Sequence, residues 1–242
     1  KNKMINKKTF TKVLPTMPAS IQAAAYADTE ILFDWHKVEG FKGASIDGLQ
    51  VIVRGTDGAD QTMNGLDLLF ATSNIPTFSD GVNVDINTAP TTLGTTGAAV
   101  DTPGWFNNLV GYVPIASGDF NDGDLIYLNV ATKSGLNIPV SGDLYVAAIA
   151  KGAFDFRTTV QIDEANFAAE TQTVITLDTK DATLLFAPGD VIHAVDDAVL
   201  GTIKTVDSTT QITLTKANVD AIENNDVLYN VHPIQLMLSG SI

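Results

Sequence analysis

The sequence predicts an all-β protein: a jelly-roll-like β-sandwich, a small SH3-like β-barrel module after it, and an extended N-terminal arm before it. Three observations lead there. Short β-branched and aromatic runs recur along most of the 242 residues, separated by Gly-, Asp- and Asn-rich turns. Only 17% of residues are charged and 45% are hydrophobic, which suits a turn-rich β protein better than a helical one. The phrase Phe-x-x-Gly-Asp before an apolar run occurs twice, as "FNDGDLIYL" from Phe120 and "FAPGDVIHAV" from Phe186. Each copy reads as a way of opening a strand. Glycine takes the positive φ of a tight turn, aspartate bonds the turn backbone, and the phenylalanine pins the turn to its core.

The arm comes first. Residues 1–27 carry five lysines and no acidic residue, whereas the remainder carries nine basic residues against 28 acidic ones. A body of that sign repels phosphate backbones, so no nucleic-acid contact by the body is expected. The leader reads as a flexible segment lying on a neighbouring acidic protein surface, with nucleic acid as its alternative partner.

Strand signals then follow at residues 30–38 ("EILFDWHKV"), 49–55 ("LQVIVRG"), 66–72 ("LDLLFAT") and 82–86 ("VNVDI"). Residues 87–104 hold no periodic pattern and almost no bulky apolar side chain, which predicts a long surface loop. Strands resume at residues 109–116, 124–130, 143–150 and 153–162. Eight short strands with no convincing helix imply a two-sheet sandwich over residues 28–162, the jelly roll being the natural eight-strand solution.

Residues 163–172, "DEANFAAETQ", read as a linker into a small module ending near residue 230. Its segments "TVITLD", "ATLLF", "DVIHAV", "LGTIKTV", "TQITLT" and "DVLYNV" are too short for a second sandwich and fit a small barrel. Val219 and Ile222 in "KANVDAIENN" are spaced for one or two helical turns. The apolar strand of residues 231–242 either closes that barrel or returns to the sandwich, which would make the module an insertion. The return is preferred, because "DVLYNV" already supplies a closing strand.

Little in the chain resembles catalytic machinery. His36, His193 and His232 are scattered and occupy amphipathic or pre-proline positions, which reads as structural. Cysteine is absent, which excludes disulfides and thiolate chemistry. There is no Gly-x-Ser-x-Gly elbow and no phosphate-cradling Gly-x-x-x-x-Gly-Lys loop. Asp80, Asn83 and Asp85, and again Asp119, Asn121, Asp122 and Asp124, crowd hard oxygen ligands into turns where calcium could sit. The same residues favour turns for backbone reasons, and that reading is preferred. No catalytic, cofactor-binding or metal-ligating residue is assigned, and the expectation is a protein that is not an enzyme. No apolar run reaches the ~18–20 residues of a membrane span, and no apolar stretch follows the basic leader as a secretory signal would require.

The stretch "FAPGDVIHAVDDAVLGTIKTVDSTTQITLT" with "NNDVLYNV" resembles small β modules in capsid-associated and tail proteins of tailed bacteriophages. The larger segment, from "ADTEILFDWHKVEGF" to "AFDFRTTVQI", is similar to jelly-roll auxiliary, decoration or cement proteins of phage heads. The resemblance implies a structural virion protein on the outer capsid surface, partnered by capsid proteins of the same virion and by copies of itself, a trimer being favoured. Lys3, Lys7, Lys8, Phe10 and Lys12 of the arm would then contact the capsid or a neighbouring subunit. Two alternatives stand beside it. One is a head-fibre, tail or surface adhesion module binding a glycan or receptor, with Trp105 and Phe106 either contacting the ligand or anchoring their loop in the core. The other is a shell-forming jelly-roll capsid protein.

Overall fold

Alternation between buried and half-buried side chains marks the strands in the computed structural model, which describes residues 9–16, 25–54, 64–72, 108–123, 128–156, 160–163, 166–178, 181–194, 199–230 and 232–242. These residues are organised as an all-β protein with three antiparallel sheets. The strands are β1 (Thr9–Thr16), β2 (Ile31–Val38), β3 (Ser45–Arg54), β4 (Gly65–Thr72), β5 (Leu109–Ile115), β6 (Phe120–Gly123) and β7 (Leu128–Pro139). They continue with β8 (Leu144–Lys151), β9 (Val174–Thr176), β10 (Val191–His193), β11 (Val199–Ser208), β12 (Gln211–Leu214), β13 (Tyr229–Asn230) and β14 (Ile234–Ser241).

The first sheet runs β1-β14-β3-β7-β6 and the second β2-β8-β4-β5. Their facing sides share one core. Ile46, Leu49, Val51 and Val53 of β3 and Ile234, Leu236 and Leu238 of β14 meet Leu66, Leu68 and Phe70 of β4 and Val146, Ala148 and Ala150 of β8. Strand β4 is buried on both faces: Leu69 joins Ile31, Ala147 and Ile149 in a separate cluster on the side of the second sheet away from the main core. That explains why "LDLLFAT" reads as an unbroken apolar run and not as an alternation.

Strand β14 pairs with β3 from Ile234 opposite Val53 to Ser241 opposite Ser45, and with β1 from Ile234 opposite Thr16 to Ser241 opposite Thr9. The expected arm thus contains, at Thr9–Thr16, a strand of the sandwich sheet. Phe10 lies opposite Gly240 and Lys12 opposite Leu238. Further along the same stretch, Tyr26 bridges to Phe154 by a reciprocal pair of backbone hydrogen bonds of 2.7 and 3.2 Å.

The third sheet, β13-β10-β11-β12-β9, packs over its own core of Ile192, Leu200, Ile203, Ile212, Leu214 and neighbours. The change of core falls inside the segment read as one strand over residues 153–162. Phe154 and Phe156, stacked at 6.1 Å, belong to the sandwich core, while Val160 and Ile162 belong to the second. Its described residues form isolated bridges to Tyr26, Val227 and Leu177.

Two further segments differ from the sequence reading. "ATLLF" contributes a single helical turn, α1 (Ala182–Leu185), because Asp181 accepts the Thr183 N–H at 2.9 Å as an N-cap. "KANVDAIENN" forms no helix, because buried Asn218 claims the local backbone. Its Oδ1 accepts from the N–H groups of Thr171 and Gln172, and its Nδ2 donates to the carbonyls of Ala168 and Asp220. A side chain that satisfies four backbone groups offers the chain an alternative to the helical ladder. Ile222 is consequently buried and Val219 stands 56% exposed. The segment at residues 82–86 and the loop at 87–104 lie outside the described residues.

One packing constraint is specific enough to test. A Cβ on Gly65 would lie 2.7 Å from the Ile115 carbonyl oxygen, whereas one on Gly118 would meet nothing within 4 Å. Gly65→Ala should therefore lower stability by about 1–3 kcal/mol, a Tm loss of roughly 2–4 °C per kcal/mol in a chain of this size. Gly118→Ala should leave Tm unchanged in the same calorimetric scan.

Candidate functional site: the junction of the two cores

The second copy of the repeated phrase builds this site. Phe186 is buried in the second core, and Gly189 takes φ +96°, the left-handed value that glycine permits. Asp190, 3% exposed, turns back to accept the Ala187 N–H at 2.8 Å. The same carboxylate oxygen receives Nη1 of Arg54, the last residue of β3, in a direct ion pair. A turn beside the third sheet is thereby tied to the end of a strand in the first.

Other contacts converge on this place. The Arg54 N–H donates to the Pro233 carbonyl at 2.9 Å, just before β14 begins. The His232 N–H donates to Asn230 Oδ1 at 2.8 Å, which shapes the turn from β13 into β14. Strand β13 pairs with β10 in the third sheet, yet its Tyr229 packs in the sandwich core. The chain therefore leaves the module through a residue shared between both bodies.

Burial pushes the Asp190 carboxyl up from its ordinary value, opposed by the Arg54 charge and the Ala187 N–H. Burying two charges costs several kcal/mol per ion unless every donor and acceptor is matched. The match here is incomplete: Arg54 Nε is buried with no hydrogen-bond partner among the described residues. The pair accordingly fixes how the parts fit together more than it adds net stability.

The other buried carboxylate among the described residues, Asp67 on β4, is 8% exposed. Lys151 Nζ lies 3.7 Å from it, and the Tyr112 hydroxyl donates to it, which raises the tyrosine pKa. At the first copy of the phrase, Asp119 accepts from Lys133 Nζ at 2.5 Å and from the Ala116 N–H at 2.7 Å, and both bonds lower its pKa. Phe120 there begins edge strand β6 and packs against the sandwich core, so the described part of the phrase, Phe120–Gly123, is itself a strand at this copy. Among the described residues no three His, Asp or Glu side chains converge as a metal-binding group.

Of the residues singled out for contact, Phe10 and Lys12 lie on β1. Lys3, Lys7, Lys8, Trp105 and Phe106 lie outside the described residues, as do Asp80, Asn83, Asp85 and Asp124. His36 is half-buried with its ring 5.6 Å from that of Phe33, and His193 stands opposite Tyr229 on β13. Arg54 is the residue that pattern reading passed over. Its signal was rarity, since the chain has only two arginines against twelve lysines, and arginine is the cation suited to a buried carboxylate.

No protein-family model matches this chain, and no curated protein is significantly similar to it.

Arg54→Met would leave the Asp190 carboxylate buried without its cation, at a cost of about 3–5 kcal/mol at neutral pH. Because Asp190 titrates above its unfolded value in the folded state, the folded chain binds that proton more tightly. The resulting stability is complete below the ordinary carboxylate value of 3.8 and is lost as pH rises through the folded value. In urea unfolding, the deficit of Arg54→Met should therefore shrink as pH falls from 7 towards 4. The double variant Arg54→Met, Asp190→Asn should recover much of the loss at pH 7.

Proposed function

We propose that this chain is a structural virion protein that decorates or cements a bacteriophage capsid, with capsid proteins of the same virion as its partners. The observation that carries the reading is the strand order. With edge strand β6 set aside, β1-β14-β3-β7 packed over β2-β8-β4-β5 is read as a jelly roll of two interlocked Greek keys, an architecture used in viral capsid and lectin domains. The β13-β10-β11-β12-β9 sheet is read as an SH3-like module set into the connection between β8 and β14. A fold by itself does not name a function, so the chemistry of the side chains supplies the second support. Among the described residues the two buried carboxylates, Asp190 and Asp67, lie against Arg54 and Lys151 respectively. The charge layout is the third: a basic leader on an acidic body suits attachment to a shell from outside, away from nucleic acid.

The test removes residues 1–8, which takes four lysines and leaves β1 in place. The truncated chain should keep its circular-dichroism spectrum and Tm and lose co-sedimentation with capsids of its virion stripped of this protein. Full-length chain that fails to co-sediment would overturn the proposal. Closed particles assembling from the pure protein would instead identify a shell-forming subunit. Glycan-array binding lost in Trp105→Ala and Phe106→Ala, without capsid affinity, would identify an adhesion module.

A further inference from the structure

Among the described side chains, the outer face of β14 and β3 in the first sheet carries few charges. Burial alternates cleanly along β14 and along most of β3. The core side takes Ile234, Leu236 and Leu238 with Leu49, Val51 and Val53, so Gln235, Met237 and Ser239 of β14 and Gln50 and Ile52 of β3 face away from it. Register places Gln50 between Met237 and Thr132 of β7, and Ile52 beside Gln235. On the far side of β14, the backbone register sets Thr11, Val13 and Pro15 opposite Ser239, Met237 and Gln235.

Strand β14 has no charged residue. On β3 and β7, Arg54 is held by Asp190, Lys133 is held by Asp119, and Asp47 sits beside the bulge at the end of the face. Elsewhere charges are frequent: on the second sheet Lys37 meets Asp143 and Glu39 just beyond its strands, and Lys151 meets Asp67 and the neighbouring Asp28. A groove of about 320 Å³ opens on this face beside Gly48, lined by Gln50, Thr132, Met237 and Ser239 and also by Asp47 and Lys133.

We infer that this face of β14, β3 and β7 is where two copies of the chain pair with one another. Electrostatics selects the occupant. With a formal net charge of −14, two copies repel through most of their surfaces, and a face of few charges, its lysine neutralised by Asp119, is where they approach at least cost. Hydrogen bonding agrees, because serine and threonine hydroxyls and glutamine amides each donate and accept. Such groups are self-complementary in the way a two-fold contact between identical patches demands. Shape agrees as well: the flexible Met237 side chain of one copy can enter the Gly48 groove of the other, and the reverse. The described outward-facing residues are few against the roughly 20–30 per side of a standard stable interface. The pairing is therefore reversible and concentration-dependent. It does not rest on the capsid reading, since it concerns the purified chain alone.

Sedimentation equilibrium of the full chain, taken from low micromolar to the highest soluble concentration, tests it. A monomer–dimer equilibrium is expected, strengthened by added salt as the acidic bodies are screened. Met237→Glu and the isosteric Gln50→Glu should each weaken association about tenfold or more with Tm unchanged, the isosteric variant covering the case in which the first fails to fold. Val219→Glu, an equal charge change at an exposed apolar residue of the inserted module, should leave association unaltered. A chain that stays monomeric throughout, association that survives both face variants, or association that Val219→Glu weakens equally would overturn the inference. Capsid co-sedimentation can fail with this equilibrium intact, so the two proposals fall separately.

Discussion

Strand β14 is the constraint on which the sandwich depends. It lies between β1 and β3, hydrogen-bonded on both sides, and its apolar residues Ile234, Leu236 and Leu238 have zero exposure. Without it the first sheet would separate into β1 on one side and β3, β7 and β6 on the other. Its partner β3 is far away in sequence, so the sheet closes only after a long loop has been brought together, the slow and non-local kind of pairing. Closure entropy rises only logarithmically with loop length, by about 0.6 kcal/mol per doubling. A whole module can thus be accommodated between β8 and β14 for little more than a bare loop would cost.

That tolerance creates a second requirement, because a module hung on a long connection has no fixed position unless something supplies one. Tyr229 and the Arg54–Asp190 pair supply it. Tyr229 places an aromatic side chain in the sandwich core from a strand of the third sheet. Arg54 closes β3 and reaches the turn that precedes β10. The apolar contact is non-directional and gives adhesion. The ion pair is directional and poorly tolerant of displacement, so it sets the register of one body against the other. Asp190 is suited to both duties because its carboxylate accepts the Ala187 N–H of its own turn while it binds the guanidinium.

The sequence reading and the structure agree where a signal is local. The runs "EILFDWHKV", "LDLLFAT", "LVGYVPIA" and "DLYVAAIA" are strands within a residue or two of where periodicity places them, because β-branched and aromatic residues on a half-buried pleat decide the matter without distant help. Signals that depend on a partner were not legible. "TFTKVLPT" is a strand because β14 lies beside it, and the lysines around it read as a free leader. "KANVDAIENN" has helical spacing, but Asn218 draws the backbone of residues 168–172 onto itself, which only the third dimension discloses. The phrase Phe-x-x-Gly-Asp was legible as turn chemistry at Asp190, and its ion pair was not, since Arg54 lies in the other body. At Phe120 the same string became an edge strand because β7 was there to pair with it.

Charge is where these levels join. Among the described residues both buried carboxylates lie against cations, and Asp119 is drawn to Lys133 at the edge of the first sheet. Few basic residues then remain to offset 28 acidic ones, so the excess negative charge is carried on solvent-facing surface. Self-repulsion of that size favours dispersed subunits, and any assembly of this chain must be driven at surfaces where the excess is absent. The two proposals use surfaces of opposite character: the lysine-rich leader, suited to an acidic partner, and the outer face of β14, β3 and β7, where described charges are few. A leader that binds through charge weakens with salt, whereas a neutral face gains from the screening of the bodies around it. The two proposed contacts should therefore respond to ionic strength in opposite directions, and that opposition would separate attachment to another protein from pairing with a second copy.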